Sequence, residues 1–239
     1  MGRFATLFWV LGVIATLQVC VESVARATPI NCYRFWSELS SQNLLCDEFT
    51  SSGFPATVGG SEIRIFHYST GWNDELGQRQ LLAAASDAAR IAAEVFSRDF
   101  TLPKITFILH NEYSEAAWAS AAWLPPTSTE PCRVDLFFNI PNSRDLAMQV
   151  AAHEIFHCVQ ARSIRYPMAE EFTEKKVASW AWWVEGTADY MSSKLFPAGA
   201  MELGHGAAYK PQLPLYRQPN PYSTVVFWDY LASTRQYQG

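Results

Sequence analysis

The sequence predicts an α+β fold, in which strands and one helix come first and further helices follow. Three segments have strand character, because their residues alternate or are continuously apolar between turn residues. These segments are Glu62–Tyr68, Ile105–Leu109 and Arg133–Ile140. Longer segments with apolar residues at helical spacing lie between and after them.

Residues 1–27 have the pattern of a secretory signal peptide. Arg3 gives a positive start, residues 4–19 are almost entirely apolar, and Ala25-Arg26-Ala27 supplies small residues before a cleavage at Thr28. An uncleaved membrane anchor is the alternative, although the apolar stretch is short for a spanning helix. We therefore expect a secreted or extracytoplasmic protein without stable membrane insertion, whose residues 28–239 form a single domain.

The mature chain begins with an irregular segment, residues 28–60, that is punctuated by Ser and Gly. The first predicted helix, Gln78–Phe100, follows the first strand and is rich in Ala and Leu. Pro103 then interrupts the chain before the second strand, and Pro125-Pro126 marks a loop before the third.

Two further helices are predicted after the third strand. The first runs from about Arg144 to Ala161, with Asn142 and Asp145 at the spacing of a capping box. The second runs from about Glu174 to Leu195 and ends before a stretch rich in Gly and Pro, residues 198–221. The last segment, Tyr222–Thr234, is predicted to be helical, although its β-branched residues would also suit a strand.

The charge balance limits the kind of partner. Without residues 1–27, the remaining 212 residues carry 16 basic and 22 acidic side chains, a net charge of −6. An acidic chain does not attract nucleic acid or an anionic membrane surface. We expect neither as a partner, and the oligomeric state is not predicted.

Four cysteines remain after the predicted cleavage: Cys32, Cys46, Cys132 and Cys158. An even number in an exported chain indicates two disulfides. We predict Cys32–Cys46, which would close a loop in the irregular segment, and Cys132–Cys158, which would tie the third strand to the following helix. A zinc site of four cysteines lacks the usual C-x-x-C spacing, and a buried free thiol at Cys158 remains the alternative for the second pair.

The chemistry is concentrated in His153-Glu154-Ile155-Phe156-His157, an H-E-x-x-H motif. Residues i and i+4 share one face of a helix, so both imidazoles can bind one Zn²⁺ ion. Glu154 then stands beside the metal, where a carboxylate can take a proton from a zinc-bound water. The alternative is a pair of core histidines, but burying two imidazoles on an apolar helix is costly unless they have partners.

A catalytic zinc site needs a third protein ligand and an open position. Glu185 and Asp189 share a face of the next helix, and their neighbours are largely apolar. We predict that Glu185 completes the ligand set and that Asp189 accepts a hydrogen bond from a ligand histidine. Gly186 would let this helix approach the first one closely. A solvated helix face is the alternative for the two carboxylates.

The H-E-x-x-H motif and the later segment Trp183-Val184-Glu185-Gly186-Thr187-Ala188-Asp189-Tyr190, with 27 residues between His157 and Glu185, together resemble the gluzincin branch of zinc metallopeptidases, the thermolysin-like superfamily. The resemblance covers roughly residues 60–235, although its specific part is two short motifs. It implies a zincin-like fold, with a mixed sheet and the active-site helix in one lobe and a mainly helical C-terminal lobe. It also implies that an edge strand, here Arg133–Ile140, pairs with an extended peptide substrate.

The resemblance further implies a hydroxyl or imidazole donor from the C-terminal lobe that stabilises the oxyanion. The candidates are His205, Tyr209, Tyr216, Tyr222 and Tyr230. Tyr222 is the first choice, since it opens the last apolar segment, and His205 is the second, since it stands between two glycines. A simple packing role is the alternative for each of them.

These observations together predict a zinc metallopeptidase that acts on peptides or proteins, with Glu154 as the general base. The G-x-M-x-N stretch by which related aminopeptidases hold an amino terminus is absent from the sequence, which favours an endopeptidase. A zinc hydrolase of another bond would use the same ligands. A catalytically silent binding protein of this fold is the remaining alternative, and the intact Glu154 argues against it.

Overall fold

The structure is a computed structural model that describes residues 30–31, 45–49, 56–58, 61–69, 74–111, 118–122, 132–137, 143–163 and 174–236. The predicted signal peptide, Cys32 and most of the irregular segment lie outside these residues. Within them, no helix is long and apolar enough to cross a membrane.

Strands dominate the first part of the described chain and helices the second. The strands are β1 (Ile30–Asn31), β2 (Leu45–Glu48), β3 (Ala56–Val58), β4 (Ser61–Tyr68), β5 (Ile105–His110), β6 (Ala119–Ala122) and β7 (Cys132–Phe137). The helices are α1 (Glu75–Phe96), α2 (Arg144–Ser163), α3 (Glu174–Leu195), α4 (Met201–Gly206) and α5 (Val225–Gln236), with 3₁₀ turns at Pro197–Gly199, Leu215–Arg217 and Pro221–Thr224.

This order confirms a fold of mixed α and β content with the sheet first and most helices after it. The limits of α3 agree with the sequence prediction, whereas α1 ends at Phe96, four residues earlier than predicted. The predicted last helix is divided into the turn Pro221–Thr224 and α5. At the start of α2 the Ser143 hydroxyl accepts a hydrogen bond from the amide of Leu146 (3.3 Å). Asn142, one half of the predicted capping box, lies outside the described residues.

The described strands form one mixed sheet in the order β1-β2-β4-β5-β7-β6, with β3 also paired to β4. The central strands β4, β5 and β7 run parallel, and β6 pairs antiparallel with β7. The prediction that Arg133–Ile140 forms the edge was therefore wrong, since β7 lies between β5 and β6. The edge strand β6 is a run of Ala and Ser, which lacks the β-branched and aromatic residues that make strands visible in a sequence.

The main core lies between one face of the sheet and the helices α1 and α2. The large side chains that are fully buried there include Ile63, Ile65, Phe96, Phe107 and Leu136. The buried positions of α1 are largely alanines, which have no accessible surface and allow the helices a close approach. A smaller cluster covers the other face of the sheet and consists of Cys46, Phe66, Tyr68 and Ile108.

A disulfide joins Cys132 to Cys158, as predicted, with 5.8 Å between their Cα atoms. Cys132 begins β7 and Cys158 follows His157 in α2, so the bond fixes the motif-bearing helix against the sheet. Cys46 is also disulfide-bonded. Its predicted partner, Cys32, lies outside the described residues.

Candidate metal centre

The helices α2 and α3 bring His153, His157 and Glu185 together. Nε2 of His153 and Nε2 of His157 lie 3.2 and 3.3 Å from the same oxygen, Oε2 of Glu185. One donor atom from each residue lies within 4.8 Å of the others. Both histidines are almost fully buried, while Glu185 is partly exposed. These three side chains can hold a metal ion.

The three side chains shift one another's pKa values, because their donor atoms lie close together. Burial disfavours a charge on His153, but the adjacent carboxylates of Asp189 and Glu185 outweigh it and raise its pKa well above the ordinary value. Burial also opposes protonation of His157, whose pKa is nevertheless raised, chiefly by the charge of Glu185. Burial would raise the pKa of Glu185, but the two histidines hold it far below its usual range.

Asp189 lies behind His153, on the side away from the donor atoms. Its Oδ1 atom is 2.8 Å from Nδ1 of His153, although the pair does not meet the angular requirement of a hydrogen bond. The distance is short enough for the buried carboxylate to attract the ring's Nδ1–H group, which leaves Nε2 directed at Glu185. The structure thus places Asp189 beside a candidate ligand histidine, whereas the hydrogen bond predicted between them is not formed in this geometry.

Gln160 orients the second histidine and was missed in the sequence. Nδ1 of His157 donates to Oε1 of Gln160 (2.8 Å), and Nε2 of Gln160 donates to the carbonyl of Val184 (3.0 Å) and the hydroxyl of Thr187 (2.7 Å). Gln160 is fully buried and links α2 to α3. A polar residue three positions after His157, on a helix of apolar residues, was the available signal.

Glu154 is buried beside the two histidines and contributes no atom to the candidate ligand group. Burial raises its pKa above the ordinary value, the charges of His157 and His153 act in the opposite direction, and Glu185 and Asp135 raise it further. A carboxylate with a raised pKa accepts a proton more readily near neutral pH than an exposed one. The environment of Glu154 is therefore suited to a base.

Tyr222 lies at the same site, in the 3₁₀ turn Pro221–Thr224. Its ring centroid is 5.9 Å from that of His153 and 4.7 Å from that of His205. Burial, the nearby carboxylates and a hydrogen bond with Glu185 all raise the pKa of Tyr222, so its hydroxyl keeps its proton. Of the other tyrosine candidates, Tyr216 and Tyr230 are exposed.

The predicted role of Gly186 needs a correction. A Cβ atom on Gly186 would clash with the hydroxyl oxygen of Thr224 and lie 3.0 Å from Nε1 of Trp228. The glycine therefore lets the Pro221–Thr224 turn approach α3, rather than letting α3 approach α2. The Thr224 hydroxyl donates to the carbonyl of Trp182 across this contact. The missing side chain thereby helps to set the position of Tyr222.

Comparison of the chain with models of protein families, with curated proteins and with solved structures finds no match.

Proposed function

We propose that the protein is a secreted zinc metallopeptidase of the gluzincin type with a zincin-like fold. The observation that carries the proposal is the convergence of His153, His157 and Glu185 beside the buried carboxyl group of Glu154. Tyr222, in the turn Pro221–Thr224, borders the same site. This combination contains metal ligands, a base and a hydroxyl donor in one place.

The donor set supports zinc as the metal. Two imidazoles and one carboxylate are a ligand set of catalytic zinc sites, which leave a fourth position for water or substrate. A tetrahedral ion with bonds of about 2.0–2.2 Å needs donor atoms about 3.3–3.6 Å apart. The separations of 3.2 and 3.3 Å between the Glu185 oxygen and the two Nε2 atoms lie at or just below the lower end of this range. A bound zinc ion would supply a Lewis acid at this point.

Glu154 is the general base of the proposed reaction. Its buried carboxylate accepts a proton from the attacking water and later gives it to the leaving amine. The raised pKa of Glu154 makes both transfers easier, because the protonated and ionised forms are closer in free energy. Asp189 and Gln160 hold the two imidazoles in one orientation while this happens.

Tyr222 supplies the donor for the oxyanion that forms when water attacks a peptide carbonyl. Its raised pKa keeps the hydroxyl protonated throughout the working pH range, so the group can donate a hydrogen bond. The hydroxyl already interacts with Glu185, which places it beside the proposed reaction centre. His205, the second candidate, pairs with Asp189 through Nδ1 and contacts the Tyr222 ring.

The substrate we propose is a peptide or protein in extended conformation, cleaved within the chain. The edge strand β6 adjoins β7, whose first residue is tied to α2 by the disulfide. An edge strand can add an extended peptide through main-chain hydrogen bonds. The disulfide supports an oxidising compartment, as the predicted signal peptide does.

The test is a zinc analysis of the purified protein combined with digestion of a peptide library whose ends are blocked. We expect one zinc per chain and internal cleavage by the wild type. Glu154→Gln should retain the zinc and lose cleavage by roughly 10²–10⁴-fold, the usual contribution of a general base. A matched control is Glu94→Gln on α1, which is exposed and should change neither result.

Three results would contradict the proposal. Absence of bound zinc after loading would remove the metal centre. Full activity of Glu154→Gln would remove the base. Zinc binding without cleavage of any peptide would favour the hydrolysis of another bond or a silent binding protein.

A further inference from the structure

Four side chains contact one another in a ring on the inner side of the candidate metal centre. They are His153, Asp189, His205 and Tyr222. Asp189 places Oδ1 2.8 Å from Nδ1 of His153 and accepts a hydrogen bond on Oδ2 from Nδ1 of His205 (2.5 Å). The ring of Tyr222 lies against both imidazoles, that of His153 and that of His205. One carboxylate therefore serves a candidate metal ligand on α2 and a histidine on α4.

Asp189 is fully buried, so its charge depends on these two partners. If His205 is removed, Oδ2 of Asp189 loses this donor in a buried position, so the carboxylate can turn and is held less firmly beside His153. The states of His153 and His205 are thus connected through one group.

The helix α4, which carries His205, is held against α2 and α3 by two hydrogen bonds. Its first residue, Met201, donates its amide to Oε1 of the buried Gln149 on α2 (3.0 Å), and its last turn carries His205. The helix has only six residues, so it depends on these contacts rather than on its own hydrogen bonds. The residue before it, Ala200, has a φ of 54°, a left-handed conformation that costs free energy in a non-glycine residue.

We propose that His205 is a positioning residue that couples metal binding to the docking of α4 and of the Tyr222 turn. The inference rests on the metal centre of the proposed function. A metal held by Nε2 of His153 would favour the ring orientation in which Nδ1 faces Asp189, whose other oxygen accepts from His205. Docked α4, in the other direction, holds Asp189 in the position that orients His153 for the metal. The coupling is reciprocal, as linkage between two binding events must be.

The function of this arrangement is to assemble the site as a unit. The segment Ala200–Thr224 joins α3 to α5 and carries both His205 and Tyr222. A bound metal would add to the contacts that hold this segment, through His153 and Asp189. It would therefore favour the position of Tyr222 over His153 that the structure shows.

The test compares three variants of α4 in the full-length protein. His205→Phe keeps a ring beside Tyr222 but removes the donor to Asp189. His205→Asn keeps an amide donor close to the position of Nδ1 and should restore much of the effect. Leu203→Ala is the control, since Leu203 is 71% exposed on the same short helix.

The first readout is the zinc dissociation constant, measured by competition with a chelator. We expect His205→Phe to weaken zinc binding roughly 10–100-fold, the usual effect of losing an outer partner of a metal ligand. His205→Asn should lose less, and Leu203→Ala should bind as the wild type does. The second readout is hydrogen exchange of the amides in residues 201–209, with and without zinc. Zinc should slow this exchange in the wild type and in Leu203→Ala but not in His205→Phe.

The outcomes separate the coupling from the proposed function. Wild-type zinc affinity in His205→Phe would overturn the coupling and leave the metal centre intact. Exchange in α4 that does not respond to zinc in the wild type would also overturn it. A wild-type protein that binds no zinc would overturn the proposed function and the coupling with it.

Discussion

The described part of the chain contains two clusters of histidine and carboxylate in its interior, and they are built differently. In the candidate metal centre, the Nε2 atoms of His153 and His157 face one oxygen of Glu185. In the second cluster, on the sheet, Nε2 of His110 donates to Oδ1 of Asp135 (2.6 Å), and Nε of Arg133 donates to Oδ2 (2.6 Å).

The difference lies in how the donor atoms are used. In the sheet cluster, both oxygens of Asp135 have their own partner, and Nδ1 of His110 meets the Tyr68 hydroxyl (2.8 Å). The outer partners of the metal centre occupy the Nδ1 atoms, so the Nε2 atoms converge on one point. Buried polar residues that are paired one to one stabilise a fold, whereas donors that converge can bind a ligand.

The largest effect is expected when one converging donor is removed. His157→Leu should lose zinc at concentrations at which the wild type is fully loaded, because two ligands remain of three. His110→Leu is the matched control in the sheet cluster and should bind zinc normally. Metal analysis after dialysis measures both. If His110→Leu lost zinc and His157→Leu kept it, the two clusters would have been assigned the wrong way round.

The next effect concerns the hydroxyl beside the centre. Tyr222→Phe should lower kcat for peptide cleavage roughly 10²–10³-fold with unchanged zinc content, as for the loss of one oxyanion donor. Tyr68→Phe removes the equivalent hydroxyl from the sheet cluster and should leave kcat unchanged. Steady-state kinetics decide between them, and wild-type turnover by Tyr222→Phe would transfer the role to His205 or to no side chain.

Removal of the outer partners should have a smaller effect. Gln160→Leu and Asp189→Asn should each weaken zinc binding or activity roughly 10–100-fold, since each releases one ligand histidine from its orientation. Titration with a competing chelator measures the loss. The sequence pointed to Asp189 alone. If Gln160→Leu has as large an effect as Asp189→Asn, each candidate ligand histidine needs its own outer partner, Gln160 for His157 and Asp189 for His153.

Zinc binding should depend on pH through the histidines of the candidate metal centre and not through His110 of the sheet cluster. Because the pKa values of His153 and His157 are raised, the metal-free protein holds protons there at pH values above the usual range of histidine. Zinc must displace these protons, so its apparent affinity should rise as the pH increases through that range. Calorimetric titration in buffers of different ionisation enthalpy would count the protons released. His110→Leu should not change the count, and release of no protons near neutral pH would contradict the prediction.

The smallest effect should be one of stability alone. His110→Leu leaves Oδ1 of Asp135 without this donor in a buried position, which costs about 1–3 kcal/mol. Urea unfolding of the metal-free protein measures the change. Destabilisation without loss of zinc would show that the sheet cluster serves stability and not metal binding. An unchanged urea midpoint of unfolding would mean that the sheet cluster contributes nothing to folding.

Much of the metal centre could be predicted because its signals are local. The spacing of His153 and His157 and the pair Glu185 and Asp189 depend only on helical periodicity, which neighbouring residues establish. The limits of α3 and the pairing of Cys132 with Cys158 followed from the same local pattern and from the order of the elements. The roles of the residues in catalysis stay predictions until the experiments above are done.

The remaining features depend on contacts between distant segments. The edge position of β6, the approach of Thr224 to Gly186 and the shared use of Asp189 by His205 all join residues that periodicity cannot relate. Local patterns thus established which residues face the interior and which helices carry the donors. The packing of one element against another established which partner each buried polar atom found, because an unpaired polar group is costly and any nearby donor in the folded chain can satisfy it.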